Sequence, residues 1–131
     1  MIYVDSNVPM YLVGAAHPNK QRVIELVPQL LGARDVLVTS AETFQEIVHR
    51  YVHLADRRHL DAAYEALESL VSRTVDVTKA DVDLARSHSG HAATLSSRDC
   101  LHLAIMRRVG CRKVWTYDRG FDAAPGIVRV E

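Results

Sequence analysis

Five short apolar stretches are separated by longer segments whose apolar residues recur at helical spacing: MIYVD at 1–5, DVLVTS at 35–40, TVDV at 74–77, KVWTYD at 113–118 and IVRV at 127–130. This alternation constrains the fold more than any other feature of the chain. Successive strands joined through helices run parallel, and a parallel sheet buries both of its faces beneath those helices. The pattern therefore predicts an α/β fold with a five-stranded parallel sheet flanked by helices. At 131 residues the chain is expected to form one domain over 1–131, long enough to bury a core.

The connecting segments carry their own signals. Pro9 suits the first turn of a short helix after the first strand. HPNK at 17–20 reads as a loop, and QRVIELVPQLLGA as a helix that Pro28 breaks or kinks. Thr39 with Glu42 three residues on reads as a capping box, opening a helix to about Leu54 with Phe44, Ile47, Val48, Tyr51 and Ala55 at helical spacing. A further helix is expected at about 58–71. Thr78 caps one running to His88, with Gly90 as its stop, and SSRDCLHLAIMRRVG gives the last, over about 97–109.

Composition excludes several classes. No run of about 20 apolar residues is present, so no membrane-spanning helix is expected. The N-terminus lacks a basic segment and a long apolar run, so no signal peptide is read and a cytoplasmic location is expected. The two cysteines, Cys100 and Cys111, fall in apolar patterns and read as buried reduced thiols. Basic and acidic residues balance at 16 each. If Asp5, Glu46, Asp99, Asp118 and Asp122 gather in one cation-filled pocket, the remaining surface is net positive, enough to attract a phosphate backbone.

Those acids are the chemistry-bearing candidates. Asp5 and Asp118 end strands, and ligands of open parallel sheets bind at the carboxyl ends of strands near the switch in strand order. Each acid has a plainer reading. Asp5 and Asn7 could cap a helix; Asp99 would stand at the third position of a helix capped by Ser96; Asp118 precedes a turn-prone Arg-Gly; Asp122 could be a loop acid. Glu46 lies too far into its helix to cap it. Glu42, His49 and His53 share its face and read as solvated. His49 and His53 are four apart, but HRYVH lacks the Glu of H-E-x-x-H, so zinc is not inferred. His102 reads as a packed or half-exposed residue. Taken together, close carboxylates either raise a pKa or bind a cation, and oxygen ligands suit Mg²⁺ or Mn²⁺. Carboxylate-held Mg²⁺ is suited to phosphodiester hydrolysis.

The ordered set of Asp5 in IYVDSN, Glu46 in SAETFQEIVHR, Asp99 in SSRDCLHLAIM and Asp118 in VWTYDRGFD resembles the PIN-domain family, and within it the VapC-type toxins of toxin–antitoxin pairs. The resemblance spans the chain. It implies a Mg²⁺- or Mn²⁺-dependent endoribonuclease acting on structured RNA such as tRNA or rRNA. Asp5, Glu46, Asp99 and Asp118 would form the site, Asp122 would be a possible fifth acid, and Asn7 and Thr116 would line it. It also implies a small antitoxin whose tail fills the acidic groove, and a homodimer. Met106, where many relatives carry a small residue, is expected to alter packing only. Arg98, Arg112, Lys113 and Arg119 are candidates for holding the RNA backbone.

Two other readings stay open at this stage. D-S-N-V after a strand resembles the first motif of haloacid-dehalogenase-like phosphatases, with Asp5 as nucleophile. Against it, Asn7 stands where the general acid is needed, and Glu46 and Asp99 go unused. The other alternative is a partner-binding PIN domain without catalysis, which the intact acids at all four positions disfavour.

Overall fold

The five apolar segments pair as β1 (Ile2–Val4), β2 (Leu37–Ser40), β3 (Arg73–Val75), β4 (Lys113–Trp115) and β5 (Val128–Val130). They form one sheet in the order β3-β2-β1-β4-β5, with every neighbouring pair parallel. The computed structural model describes residues 1–90 and 94–131. The strands are shorter than the apolar runs because each chain leaves the ladder as soon as it turns into a helix. Asp5 still donates its backbone N–H to the Trp115 carbonyl at 3.1 Å, one residue beyond β1.

Six helices cover the sheet: α1 (Asn7–Val13), α2 (Pro18–Gly32), α3 (Ala41–His53), α4 (Arg57–Leu70), α5 (Lys79–His88) and α6 (Ser97–Arg108). A 3₁₀ turn over Arg119–Ala123 links β4 to β5. Alternate strand residues feed two cores, as the pleat dictates. Ile2, Val4, Leu37 and Trp115 pack with Val8, Val23, Leu26, Ile47, Leu60 and Leu67 from α1 to α4. Tyr3, Val38, Val75 and Val114 pack with Leu103, Ile105, Met106 and Phe121 on the other face. Met106 is thus a core residue, as expected. Cys100 and Cys111 are buried free thiols.

Two local expectations change. α2 starts at Pro18, its first residue, capped by His17, whose Nδ1 accepts from the Asn19 N–H at 3.0 Å. It then continues through Pro28 to Gly32. Pro28 and Ile24 lie on the exposed face, so the carbonyl that Pro28 cannot pair faces water, while Val23, Leu26 and Leu30 anchor the opposite face. The Thr39–Glu42 capping box does not form. Ser40 is the N-cap of α3 and makes no side-chain cap bond, and the Thr39 hydroxyl donates to the Val4 carbonyl at 2.8 Å.

β1 is the central strand, and the order reverses between β1 and β4. The crevice outside their carboxyl ends is where a parallel sheet presents a ligand site. Asp5 follows β1 there, and Thr116 follows β4.

Candidate active site

Asp5 ends an apolar strand because the fold surrounds its carboxylate with donors. Oδ1 accepts the Ser6 backbone N–H at 2.7 Å, and Oδ2 accepts the Thr116 hydroxyl at 2.6 Å and the Asn7 amide at 2.9 Å. The Thr116 hydroxyl in turn accepts from Asn7 Nδ2 at 2.9 Å and from the Asp118 N–H at 3.0 Å. Asn7 Oδ1 accepts the Tyr117 N–H at 3.3 Å, which ties α1 to the end of β4. Asn7 and Thr116 therefore sit directly on Asp5.

Glu46 reaches the same spot from the second turn of α3. Its Oε2 accepts the Ser6 hydroxyl at 2.6 Å, and its Oε1 accepts from His102 Nε2 at 2.7 Å. His102 Nδ1 lies 2.7 Å from the Tyr3 hydroxyl, which also meets Ser40 Oγ at 2.6 Å and Thr43 Oγ1 at 3.2 Å. Asp5, Glu46 and His102 are 6%, 9% and 1% exposed, so the cluster lies inside the protein with its polar atoms paired.

Electrostatics follows from that burial. Desolvation pushes the Asp5 carboxyl above the usual range, with the nearby His102 and the Thr116 bond pulling the other way and Glu46 adding to the rise. Burial acts on Glu46 in the same sense, but the His102 hydrogen bond and charge overcome it and leave Glu46 below its ordinary value. Burial disfavours the His102 cation, yet Tyr3, Glu46 and Asp5 together raise it well above an ordinary imidazole. The acids around His102 thus favour its charged form.

The ligand atoms of Asp5, Glu46 and His102 lie within 4.8 Å of one another, and among the described residues they make up the one such group. Both nitrogens of His102 are engaged, by Glu46 and Tyr3, so the carboxylates are the donors left for an ion, and oxygen donors suit a hard divalent cation. The hydrogen bonds to Asp5 and Glu46 occupy only part of their lone pairs. The residues present therefore fit a divalent ion.

The other acids stand differently. Asp99 and Asp118 fall outside the group. Asp99 occupies the third position of α6 in a capping box: its N–H donates to Ser96 Oγ at 3.1 Å, and its Oδ2 accepts the Ser96 N–H at 3.0 Å. It lies one turn before His102 on the same helix. Asp118 caps the 3₁₀ turn, its exposed carboxylate accepting the Gly120 N–H at 2.8 Å. A Cβ on Gly120 would stand 3.1 Å from the Thr94 carbonyl, so this turn packs closely on the approach to α6. Asp118 and Asp99 thus belong to adjoining segments, the 3₁₀ turn and the helix that follows Thr94. Asp122 points to β5 instead, where Arg129 donates to it at 2.9 and 3.3 Å and pulls its carboxyl below the ordinary value. Arg112 and Lys113 precede or open β4, at the end of the sheet away from Asp5. Arg98 and Arg119 are exposed beside Asp99 and Asp118.

Reading the sequence missed Ser6, Tyr3 and His102. Ser6 was within reach, being flanked by two residues already singled out. Tyr3 and His102 lie 99 residues apart, and no local pattern announces their bond.

Fold and site together define an α/β protein with a buried acidic, cation-ready crevice at the carboxyl ends of a parallel sheet. A family model for the PIN domain matches residues 2–127. Ribonuclease VapC13 of Mycobacterium tuberculosis is 43% identical over 130 residues, covering 99% of each chain. The crystal structure of Mycobacterium tuberculosis VapC20, described as a sarcin-ricin loop cleaving toxin, aligns with a TM-score of 0.77 at 23% identity, over 100% of this chain and 99% of that one. A toxin–antitoxin complex from Klebsiella pneumoniae aligns with a TM-score of 0.63 at 15% identity, over 98% of this chain and 96% of its own. The chain belongs to the PIN-domain family, in the branch of the VapC ribonucleases.

Proposed function

We propose that the chain is a metal-dependent endoribonuclease, the toxin of a type II toxin–antitoxin pair, that cleaves structured cellular RNA such as tRNA or rRNA and so halts translation. The observation that carries the reading is the Asp5–Glu46 pair, buried at the β1/β4 switch of a chain 43% identical to a VapC ribonuclease.

Asp5, Glu46, Asp99 and Asp118 would hold Mg²⁺ or Mn²⁺. When bound, such an ion polarises the phosphate and makes water a nucleophile near neutral pH. The chain's own residues do the rest. Asn7 and Thr116 fix the direction of Asp5, and Ser6 holds Asp5 and Glu46 at one spacing. Asp99 and Asp118 face the solvent side, where the phosphodiester enters. Arg98 and Arg119 stand beside them to pair with flanking phosphates. In-line hydrolysis would leave a 5′-phosphate and a 3′-hydroxyl. Asp122, committed to Arg129, would stabilise the 3₁₀ turn under Asp118 and contribute no more than an outer ligand.

The partners follow from the same site. A cationic tail, with an Arg entering among the carboxylates, would inhibit the enzyme, and a small VapB-like antitoxin would supply it. A homodimer is part of the proposal, and so is action in the cytoplasm, where the RNA is. No helix among the described residues is long and apolar enough to cross a membrane. The phosphatase alternative loses further ground, because the Asn7 amide is spent on Asp5 and offers no acid.

The test is cleavage of total RNA by the purified, antitoxin-free chain with Mg²⁺, with EDTA, and as Asp5→Ala with Mg²⁺. Discrete fragments in the first lane alone support the reading. Cleavage that survives EDTA or Asp5→Ala sinks it.

A further inference from the structure

We propose that His102, backed by Tyr3, is a positioning residue that fixes the Glu46 carboxylate for cation and substrate binding. The inference rests on the nuclease reading and extends it to residues outside the acid set.

A carboxylate only accepts, so the 2.7 Å contact to Glu46 Oε1 requires the hydrogen on His102 Nε2. Nδ1 then pairs with the Tyr3 hydroxyl in either state of the ring, accepting from it when the ring is neutral and donating to it when the ring is charged, and the Ser40 and Thr43 hydroxyls complete the bonds of the Tyr3 oxygen. Every link is used, and the chain runs Tyr3, His102, Glu46, Ser6, Asp5. It starts in the middle of β1, crosses α6 and α3, and returns to the end of β1.

A glutamate carries one more rotatable bond than an aspartate and needs more holding. Glu46 has two holders, one on each oxygen: Ser6 from the start of α1 and His102 from α6. Around His102, α6 buries Cys100, Leu103, Ala104, Ile105 and Met106, so an apolar residue would satisfy the core there. An imidazole buried at 1% exposure is costly unless both nitrogens are paired, and here they join a site acid to the central strand. The ring also packs on Tyr3, with centroids 5.4 Å apart. α6 therefore serves the site twice, with Asp99 at the rim and His102 one turn deeper.

The test compares His102→Leu, His102→Gln, His102→Asn and Tyr3→Phe with wild type. Mn²⁺ binding is read by electron paramagnetic resonance, and RNA cleavage as a function of Mn²⁺ concentration. Unfolding in EDTA reports whether each variant is folded. Gln keeps a donor where Nε2 stands, whereas Asn keeps only the Tyr3 link. Loss of an outer hydrogen bond to a ligand weakens metal binding roughly 10–100-fold. The expected order is a loss of that size for Leu and Asn, substantial rescue by Gln, and a smaller loss for Tyr3→Phe. A general packing defect would not be rescued by Gln. If the Leu variant fails to fold, the contrast between Gln and Asn decides. Folded His102 variants that match wild type in both assays overturn the inference alone. Nitrogen hyperfine coupling from an imidazole on bound Mn²⁺ overturns it in favour of direct ligation. A wild-type chain that neither binds Mn²⁺ nor cleaves RNA overturns the nuclease reading and this inference with it.

Discussion

Two neighbouring helices, α5 and α6, begin with the same device and put it to different ends. Thr78 and Asp81 form a capping box at the start of α5, and Ser96 and Asp99 form one at the start of α6. In both, the hydroxyl accepts the acid's N–H and the acid accepts the cap's N–H. Asp81 is then covered by Arg108, which donates Nε to Oδ1 at 2.7 Å and Nη2 to Oδ2 at 3.0 Å. Asp99 takes part in none of the ion pairs of the described residues, and it stands one turn before His102, which bonds Glu46. An acid at the third position of a helix is thus neutralised when a cation closes over it and keeps its charge uncompensated when none does, as the proposed role of Asp99 requires.

Replacing each acid by Asn tests that contrast most sharply, because the amide oxygen preserves the cap and only the charge is lost. Asp99→Asn is expected to cut RNA cleavage by at least about 100-fold, more than losing an outer-shell group costs, with little change in unfolding free energy. Asp81→Asn is expected to do the reverse. It leaves cleavage by the folded protein unchanged and costs about 2 kcal/mol of stability in denaturant unfolding. That figure is below the cost of breaking a fully buried pair because the Arg108 side chain is 37% exposed. Equal loss of activity in the two variants would break the comparison.

Acid sharpens it further. The Arg108 hydrogen bonds hold Asp81 below the ordinary carboxylate value, against the opposing effect of burial and with help from the Thr78 bonds. A lowered folded pKa means that the stabilisation is complete above the unfolded value of about 3.9 and fades as pH falls through the folded value. The stability gap between wild type and Asp81→Asn should therefore stay constant from neutral pH down to about 5 and close below about 4. A gap that persists at pH 2 would mean that the loss comes from packing rather than from the ion pair.

The comparison also explains what could be read from the sequence. The two caps are local, and Thr78 and Ser96 were visible as N-caps because their bonds span three residues. The sheet was visible because apolar strand and amphipathic helix leave different periods, and Asp5 and Asp118 stood out because they close apolar runs. What decides each acid's role lies far along the chain. Arg108 is 27 residues from Asp81, Arg129 is seven from Asp122 but on another element, and Tyr3 is 99 from His102. Thr39 shows the same limit in reverse: a correct cap spacing lost its hydroxyl to the Val4 carbonyl, 35 residues away. Periodicity reports which face a residue occupies and is silent about which side chain meets it there.

The smallest expected effect separates the caps themselves. Ser96→Ala and Thr78→Ala each remove one hydroxyl acceptor, at a cost of about 1 kcal/mol per helix. In α5 the loss should stop there, since Arg108 still fixes Asp81 through both oxygens. In α6 the one hydrogen bond to the Asp99 carboxylate among the described residues comes from the Ser96 backbone N–H, and the cap hydroxyl that alanine removes is what pins the Asp99 N–H against it. Ser96→Ala should therefore lower cleavage a few-fold beyond its effect on stability, while Thr78→Ala leaves cleavage untouched. Measuring both variants at a temperature where each is fully folded makes the contrast clean. Identical cleavage would mean that Asp99 is placed by the close approach of the segment before α6 to the 3₁₀ turn at Gly120 rather than by its cap.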